Sequence, residues 1–226
     1  MKFGICVFPG SNCDYDTFYV IRDVLEKDVR FIYFNENNLS DIDVLILPGG
    51  FSFGDYIRPG LLASKTSVME AIYEFANKGN LVLGICNGFQ ILTEAGLLPG
   101  ALLTNENMRF ICKDVFLRVE TNSKAITKKL NKGDILQMPI AHHDGRYYVD
   151  QDTLKVMEER EQILFRYVNE EGKPTEDSNP NGSVSNIAGV CNKEGNVFGM
   201  MPHPERASED ILGNHDGLML WYSLIS

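Results

Sequence analysis

Hydrophobic and polar residues follow two periodic patterns in the first hundred positions of the chain. Short, fully apolar runs are typical of strands buried on both faces, and apolar residues spaced three or four apart are typical of helices that pack against a sheet. The patterns predict strands at residues 2–8, 29–34, 44–47 and 81–85, and helices at residues 14–26, 68–78 and 87–95. Alternating strands and helices predict a mostly parallel sheet covered by helices on both faces.

The pattern changes in the second half of the chain. Between residues 112 and 148 the segments become shorter and apolar positions alternate with polar ones, which suits antiparallel or edge strands and predicts a mixed extension of the sheet. A polar stretch with two prolines and two glycines at residues 169–185 predicts a loop. Further strands are expected at residues 187–191 and 197–201, and a helix at residues 216–225.

Composition narrows the class of protein. At 226 residues and 44% hydrophobic content the chain can bury a sizeable core, and without repeats or long linkers we expect residues 1–226 to form one domain. A net charge of -10 disfavours nucleic acid and anionic membranes as partners. No apolar run approaches the roughly 18 residues of a membrane span, and the start resembles no signal peptide, so a cytoplasmic location is expected.

The cysteines indicate free thiols. Their number is odd, they are scattered, and no close CxxC pair is present, which argues against a disulfide framework and a zinc site. The chain contains Cys6, Cys13, Cys86, Cys112 and Cys191.

One cysteine differs from the others in its context. Residues 81–90, LVLGICNGFQ, run from a buried strand through G-x-C-x-G into a helix. Gly84 and Gly88 have no side chains to obstruct a tight turn, which lifts Cys86 toward a substrate as in a hydrolase nucleophile elbow. A helix N-terminus also lowers the pKa of a thiol. The alternative is a small packing residue, the usual role of a free cysteine and the one expected of the other four.

A nucleophilic cysteine needs a base, and His203 is the best candidate among four histidines. It lies in GMMPHPER at residues 199–206, after an apolar strand, where Pro202 and Pro204 fix the backbone and Glu205 is close enough to orient the imidazole. Alone, this segment is typical of a surface turn. Together with the cysteine elbow it predicts a Cys-His-Glu triad.

Acyl transfer also needs hydrogen-bond donors for the developing oxyanion. The strand at residues 44–47 ends in Pro-Gly-Gly, which lets the backbone turn its amides toward a neighbouring site. The backbone N–H groups of Gly50 and Asn87 are therefore the candidates for an oxyanion hole. The alternative is that Pro-Gly-Gly only terminates the strand.

With these residues in place, the chain resembles the class I, or triad, glutamine amidotransferases. Within them it is most similar to the small glutaminase subunits of phosphoribosylformylglycinamidine synthases. The elbow and His-x-Glu mark the superfamily, while FPGSNCD, GDYIRPG and FICK point to the narrower family. The similar segments are residues 8–14, 47–60, 84–92, 109–113, 139–142 and 195–206.

The resemblance implies a flavodoxin-like class I amidotransferase fold with Cys86 as the nucleophile, His203 and Glu205 as its partners, and Gln90 near bound glutamine. It implies no metal or cofactor in this subunit. ATP and Mg are expected on a synthetase subunit, which receives the ammonia and converts formylglycinamide ribonucleotide to formylglycinamidine ribonucleotide in purine biosynthesis. A small accessory subunit is a further expected partner.

Two departures from the family pattern bear on contacts with substrate or partner. Asp114 stands where an aromatic residue is expected, and His143 and Asp144 follow PIAH where other residues are usual. His142 and His143 could suggest a metal site, but adjacent residues of a strand point to opposite faces. Residues 51–60 predict a loop at the active-site rim or partner interface, with a plain surface loop as the alternative.

The remaining segment and the alternative functions have less specific signals in the sequence. Residues 8–14 lack both G-x-G-x-x-G and a Walker lysine, so Ser11 or Asp14 is predicted to cap a helix and no phosphate loop is expected. The functional alternatives are a glutaminase of another pathway, a cysteine peptidase or stress protein on a related sheet, and an inactive interaction module.

Overall fold

A nine-stranded mixed sheet runs through the molecule, and the computed structural model describes every residue from 1 to 226. Two short strands form a second sheet. The strands are β1 (Lys2–Val7), β2 (Asp28–Tyr33), β3 (Val44–Leu47), β4 (Leu81–Ile85), β5 (Ala101–Leu103), β6 (Ile111–Val119), β7 (Ile135–His142), β8 (Arg146–Tyr148), β9 (Ile163–Val168), β10 (Ile187–Cys191) and β11 (Val197–Met200). The helices are α1 (Asp14–Tyr19), α2 (Val68–Asn77), α3 (Asn87–Glu94), α4 (Gln151–Glu159) and α5 (Leu218–Leu224).

The first half of the large sheet is parallel, as predicted. Its strand order is β2-β1-β3-β4-β11, and every neighbouring pair in this part is parallel. Residues of β3 and β4 are almost entirely buried, which explains their continuous apolar runs. The order is that of a flavodoxin-like sheet, in which ligands bind beyond the carboxyl ends of the strands. This confirms the predicted fold class and fixes the edge at which a site is expected.

The second half of the sheet is the predicted antiparallel extension. It continues through β10, β9, β6 and β7, and every pair in this part is antiparallel. β6 and β7 have nine and eight residues and are longer than the short segments expected there. The two strands pair along eight positions, so cross-strand pairing extends them beyond what the local pattern indicates.

The helix predicted at residues 14–26 is regular only at its start. α1 ends at Tyr19 and continues as a π-helical turn over Val20–Val24, after which Glu26 adopts a φ of +52°. The predicted cap is also wrong. Ser11 Oγ accepts a hydrogen bond from the Phe8 N–H, and the residue that precedes α1 is Cys13, which makes no capping hydrogen bond.

Three elements lie outside the sequence-based expectations, namely the short strand β5, the helix α4 and the strand β9. α4 begins after Asp150, whose side chain accepts hydrogen bonds from the backbone N–H groups of Asp152 and Thr153. β9 follows as an almost fully buried strand between β10 and β6. Pairing with two neighbours identifies β9 as an interior strand. None of the helices combines the length and apolar character that crossing a membrane requires.

The contact between α3 and the sheet depends on Gly88. A Cβ added there would lie 1.9 Å from the Leu47 carbonyl oxygen, which belongs to the backbone of β3 and cannot rotate away. Gly88→Ala is therefore expected to lower the free energy of unfolding by about 3 kcal/mol or more, as overpacking of a tight core does. Thermal denaturation of Gly88→Ala and of wild type measures the change in stability. Glu70→Ala, at an exposed position of α2, is the control and should melt near the wild-type temperature.

Candidate functional site

Four chain segments meet beyond the carboxyl ends of the parallel strands. They follow β1, β3, β4 and β11 and, together with Phe110 before β6 and Ala141 in β7, enclose a cavity of about 160 Å3. The cavity therefore lies where a doubly wound sheet binds its ligands. It is lined by Asn12, Cys13, Gly50, Phe51, Cys86, Phe110, Ala141, His203 and Arg206.

Cys86 occupies the turn between β4 and α3 in a strained conformation. Its φ of +50° and ψ of -105° are values that residues with a side chain rarely adopt. Cβ atoms added at Gly84 and Gly88 would come within 2.6 Å of neighbouring atoms, so the helix packs against the strand only because both are glycines. The Cys86 Sγ lies 3.7 Å from the Ala141 carbonyl oxygen in the cavity wall. The predicted elbow is present, with its sulfur at the cavity.

His203 and Glu205 form a buried pair. The His203 Nδ1 lies 2.6 Å from a Glu205 carboxylate oxygen, and both side chains are almost completely inaccessible to solvent. The backbone N–H of His203 donates to the Pro139 carbonyl, and this hydrogen bond anchors the segment that carries His203 and Glu205 to β7. The His203 Nε2 is buried without a hydrogen-bond partner of ordinary geometry. The imidazole is thus held through Nδ1, and its Nε2 is left without a partner.

The electrostatic environment favours the charged form of His203. Burial by itself lowers the pKa of the imidazole, but the negative charge of Glu205 opposes it. Interactions with the thiols of Cys13 and Cys86 act in the same direction as Glu205 and hold the pKa of the imidazole well above its ordinary value. An imidazolium beside Cys86 favours the thiolate, which is the nucleophilic form of cysteine.

The two predicted oxyanion donors lie on either side of the elbow. Gly50 lines the cavity with a φ of +146°, and a Cβ there would be 2.8 Å from the Asn12 nitrogen. Its N–H has no acceptor in the protein. Asn87 is the first residue of α3, so its N–H has no partner within the helix. The Ser52 N–H donates to the Asn87 side chain at 3.2 Å and ties the two segments together.

Gln90 lies one helical turn after Cys86 and is buried. Its Nε2 donates to the Asp144 carbonyl at 2.7 Å, and its Oε1 accepts from the Asn87 Nδ2 at 2.9 Å. Gln90 therefore joins the helix of the nucleophile to the turn that follows β7. Its contact with glutamine stays a prediction.

Cys13 and Arg206 also line the cavity, although neither was a sequence-based candidate. The Arg206 Nη2 lies 3.1 Å from the Cys13 Sγ and 3.3 Å from an Asp16 oxygen. Cys13 was interpreted as a packing residue, and it is indeed buried, but its sulfur faces the site. Both residues lie in segments that carry the family resemblance, at residues 8–14 and 195–206, and this is the one signal in the sequence that could have indicated them.

A metal ion fits this arrangement poorly. Ligand atoms of Cys13, His203 and Glu205 lie within 4.8 Å of one another. An ion held by all three would have to displace the short hydrogen bond between His203 and Glu205 or leave the carboxylate unused. The same geometry suits an acid-base pair directly.

The remaining residues singled out by sequence lie outside the cavity lining. His142 is buried and His143 is exposed, so the two rings do point to opposite sides. Asp114 is exposed on β6, opposite Pro139. The loop at residues 51–60 presents Tyr56 and Ile57 to solvent, beside the cavity residue Phe51.

Asp55 in this loop provides a test by pH. Burial of the carboxyl group is the larger cause and repulsion by Asp144 is the smaller one. Together they raise the pKa of Asp55 from 3.8 to about 6. A raised carboxyl pKa penalises the folded state when the group is ionised, so the penalty is present above about pH 6 and absent below about pH 4. Asp55→Asn should therefore stabilise the protein by about 1 kcal/mol at neutral pH, after allowance for solvent screening of a half-exposed group. Melting curves of wild type and Asp55→Asn at neutral pH and below about pH 4 measure the gain in stability. Equal gains under the two conditions would contradict this interpretation.

Comparison with known proteins identifies the family of the chain. Residues 1–217 match the family model described as a CobB/CobQ-like glutamine amidotransferase domain. Phosphoribosylformylglycinamidine synthase subunit PurQ of Aquifex aeolicus is 73% identical over 226 residues, which are 100% of both chains. The subunit of the same name from Koribacter versatilis is 52% identical over 225 residues, 100% of this chain and 97% of the relative.

Solved structures give the same result. The structure of PurLQS from Thermotoga maritima contains a chain that is 42% identical, with a TM-score of 0.88 over 99% of this chain and 97% of that chain. The glutaminase domain of Trypanosoma brucei CTPS, with bound acivicin, is 13% identical with a TM-score of 0.57 over 99% and 93% of the two chains, and shows the fold alone. The predicted family is confirmed: this chain belongs to the class I glutamine amidotransferases, in the family of the PurQ subunits of phosphoribosylformylglycinamidine synthase.

Proposed function

We propose that this chain is the glutaminase subunit of a phosphoribosylformylglycinamidine synthase, with Cys86 as its nucleophile. The observation that carries the proposal is the cavity in which a strained, buried cysteine at a helix N-terminus meets a buried His203–Glu205 pair. These are the components that thioester chemistry requires: a nucleophile, a base and a group that orients the base.

In the first half of the reaction, the Cys86 thiolate attacks the side-chain amide carbon of glutamine. The carbonyl oxygen becomes an oxyanion, and the N–H groups of Gly50 and Asn87 are its proposed donors. His203 gives a proton to the departing nitrogen, so that ammonia leaves and a glutamyl thioester remains on Cys86. Gln90 is proposed to contact the bound glutamine.

In the second half, His203 takes a proton from water as the water attacks the thioester. The carbon–sulfur bond breaks, glutamate leaves, and Cys86 returns to its starting state. Glu205 orients the ring through Nδ1 and stabilises the imidazolium that is present before ammonia leaves and that forms again when water attacks the thioester. The short distance between the two side chains and their complete burial support this role.

The ammonia serves a synthetase partner. A subunit of this family supplies nitrogen for the amidine product, so we assign ATP and Mg to the synthetase and no cofactor to this chain. A small accessory subunit completes the proposed complex, which operates in the cytoplasm as part of purine biosynthesis. The continuous nine-stranded sheet, which takes strands from both halves of the chain, supports treatment of residues 1–226 as one glutaminase domain.

Glutamate release from glutamine, measured with and without the synthetase and its ribonucleotide substrate, tests the proposal. We expect glutamate release that the synthetase stimulates, together with amidine formation in proportion. A peptidase would cleave peptides and ignore the synthetase, and an inactive interaction module would release no glutamate. A glutaminase of another pathway would release glutamate without forming the amidine product.

A further inference from the structure

Asn105 is a fully buried polar residue to which the proposed reaction assigns no role. It lies between β5 and β6. Its Nδ2 donates to the carbonyl groups of Arg109 at 2.8 Å and His142 at 2.9 Å. Its Oδ1 accepts from the Gly145 N–H at 3.1 Å and lies 3.0 Å from the His142 Nδ1. Because Nδ2 is used by two acceptors, Oδ1 is the acceptor for His142, and every polar atom of the amide has a partner.

The partners of Asn105 belong to two segments that contribute to the cavity wall. The carbonyl partner before β6 is directly followed by Phe110, which lines the cavity. The other carbonyl partner, His142, directly follows Ala141, which also lines the cavity. The Ala141 carbonyl oxygen lies 3.7 Å from the Cys86 Sγ. The side chain of Asn105 therefore joins the segment before β6 to the end of β7, next to both lining residues.

Asn105 also anchors the short turn after β7. Its backbone N–H donates to the His143 carbonyl at 2.8 Å, and its Oδ1 accepts from the Gly145 N–H, so both ends of the turn are bonded to the same residue. Between these ends, the Asp144 carbonyl accepts from the Gln90 Nε2 at 2.7 Å. Gln90 lies on α3, one helical turn after the nucleophile. A displacement of the turn would therefore move the side chain that is proposed to contact glutamine.

We propose that Asn105 is a positioning residue of the glutaminase reaction, which acts through the cavity wall and through the turn that holds Gln90. The inference rests on the proposed glutaminase function. The hydrogen bonds of its side chain reach neither Cys86 nor His203. The His203–Glu205 pair lies on a separate segment after β11. Asn105 therefore affects the binding of glutamine and leaves the reactivity of the Cys86 thiol unchanged.

Asn105→Asp tests the two donor bonds with little change in shape. The variant keeps an oxygen for the His142 Nδ1 and the Gly145 N–H, but it places a second oxygen against two carbonyl groups. Asn196→Asp is the matched control. Asn196 is also buried, and its Nδ2 also donates to two main-chain carbonyls, at 2.7 Å and 2.9 Å, but it lies outside the cavity lining. The two substitutions make the same chemical change in two parts of the fold.

Thr104→Val is a second, milder variant. The Thr104 Oγ1 donates to the Asp144 Oδ1 at 2.6 Å, on the turn that Asn105 anchors. Valine keeps the branched shape of threonine and removes the hydroxyl, so one contact to the turn is lost while the hydrogen bonds of Asn105 remain. This variant decides the question if Asn105→Asp fails to fold.

Steady-state glutamate release in the assembled complex separates KM from kcat. Asn105→Asp should raise the KM for glutamine by roughly tenfold, the combined effect of two lost hydrogen bonds, and keep kcat within about twofold of wild type. Thr104→Val should raise KM by roughly threefold. Asn196→Asp should lower the melting temperature as Asn105→Asp does and leave KM unchanged, which separates a loss of stability from a loss of glutamine binding.

Two thiol reagents measure the same distinction at Cys86. An electrophilic glutamine analogue needs the glutamine site, whereas iodoacetamide needs only a reactive thiolate. At a low concentration of the analogue, Asn105→Asp should be labelled roughly tenfold more slowly than wild type, and iodoacetamide should react at about the wild-type rate. His203→Ala should slow both reagents, because it removes the imidazolium that favours the thiolate. Peptide mapping confirms that Cys86 is the labelled residue.

A wild-type KM for Asn105→Asp, or for Thr104→Val if the first variant does not fold, overturns the proposal. An equal rise of KM in Asn196→Asp, or equal slowing of both thiol reagents in Asn105→Asp, also overturns it, because either result indicates a general loss of structure. Failure of the proposed function is a separate result, since in that case the wild-type complex releases no glutamate or forms no amidine product from glutamine.

Discussion

Cys86→Ala is expected to abolish glutamine-dependent synthesis in the assembled complex while synthesis from ammonium salts continues at the wild-type rate. The substitution removes the only atom assigned to attack the amide carbon, and loss of a nucleophile costs on the order of 10,000-fold or more. The added ammonia bypasses that step because it reaches the synthetase directly. Product formation with each nitrogen source, assayed in parallel on the same preparation, gives both rates.

Two other cysteines are controls for this result. Cys112→Ala alters an exposed thiol outside the cavity and should leave the rate unchanged. Cys13→Ala is stricter, because the Cys13 sulfur contacts Arg206 in the cavity; we expect most activity to remain. An electrophilic glutamine analogue should label Cys86 alone, as peptide mapping can show. If Cys86→Ala still supports glutamine-dependent synthesis, or if Cys13→Ala loses as much activity as Cys86→Ala, the assignment of Cys86 as the nucleophile is wrong.

His203→Ala and Glu205→Gln should both reduce the glutaminase rate, and by different amounts. Removal of the base costs on the order of 100- to 10,000-fold, and the thiolate also loses its imidazolium partner. Glu205→Gln keeps an oxygen that can accept from the His203 Nδ1 but removes the negative charge, so its loss should be smaller. Steady-state glutamate release in the assembled complex measures both variants.

The pH profile adds an independent check on these roles. The negative charge of Glu205 raises the pKa of His203, so in Glu205→Gln this pKa should fall and the pH dependence of glutamate release should shift to lower pH. Both variants should still assemble and use added ammonia, since neither side chain is assigned to the partner. A wild-type rate for His203→Ala, or a larger loss for Glu205→Gln than for His203→Ala, contradicts the triad as described.

The sequence by itself determined the class of fold and the residues of the proposed triad. Buried parallel strands read as continuous apolar runs, so β1, β3 and β4 were predictable to within one residue. The elbow at Cys86 is specified by two nearby glycines, and the pairing of His203 with Glu205 spans only two positions. Each of these features is local, and local geometry follows from a few adjacent residues.

Only the tertiary structure decided which distant residues meet. The order of the antiparallel strands, the approach of Cys13 and Arg206 to the cavity, and the hydrogen bonds between Asn105 and the end of β7 all depend on segments far apart in sequence. No periodic pattern records such contacts, because they are set by strand pairing and by the packing of α3 against the sheet. The partners of a buried amide are visible only when every neighbour has been placed.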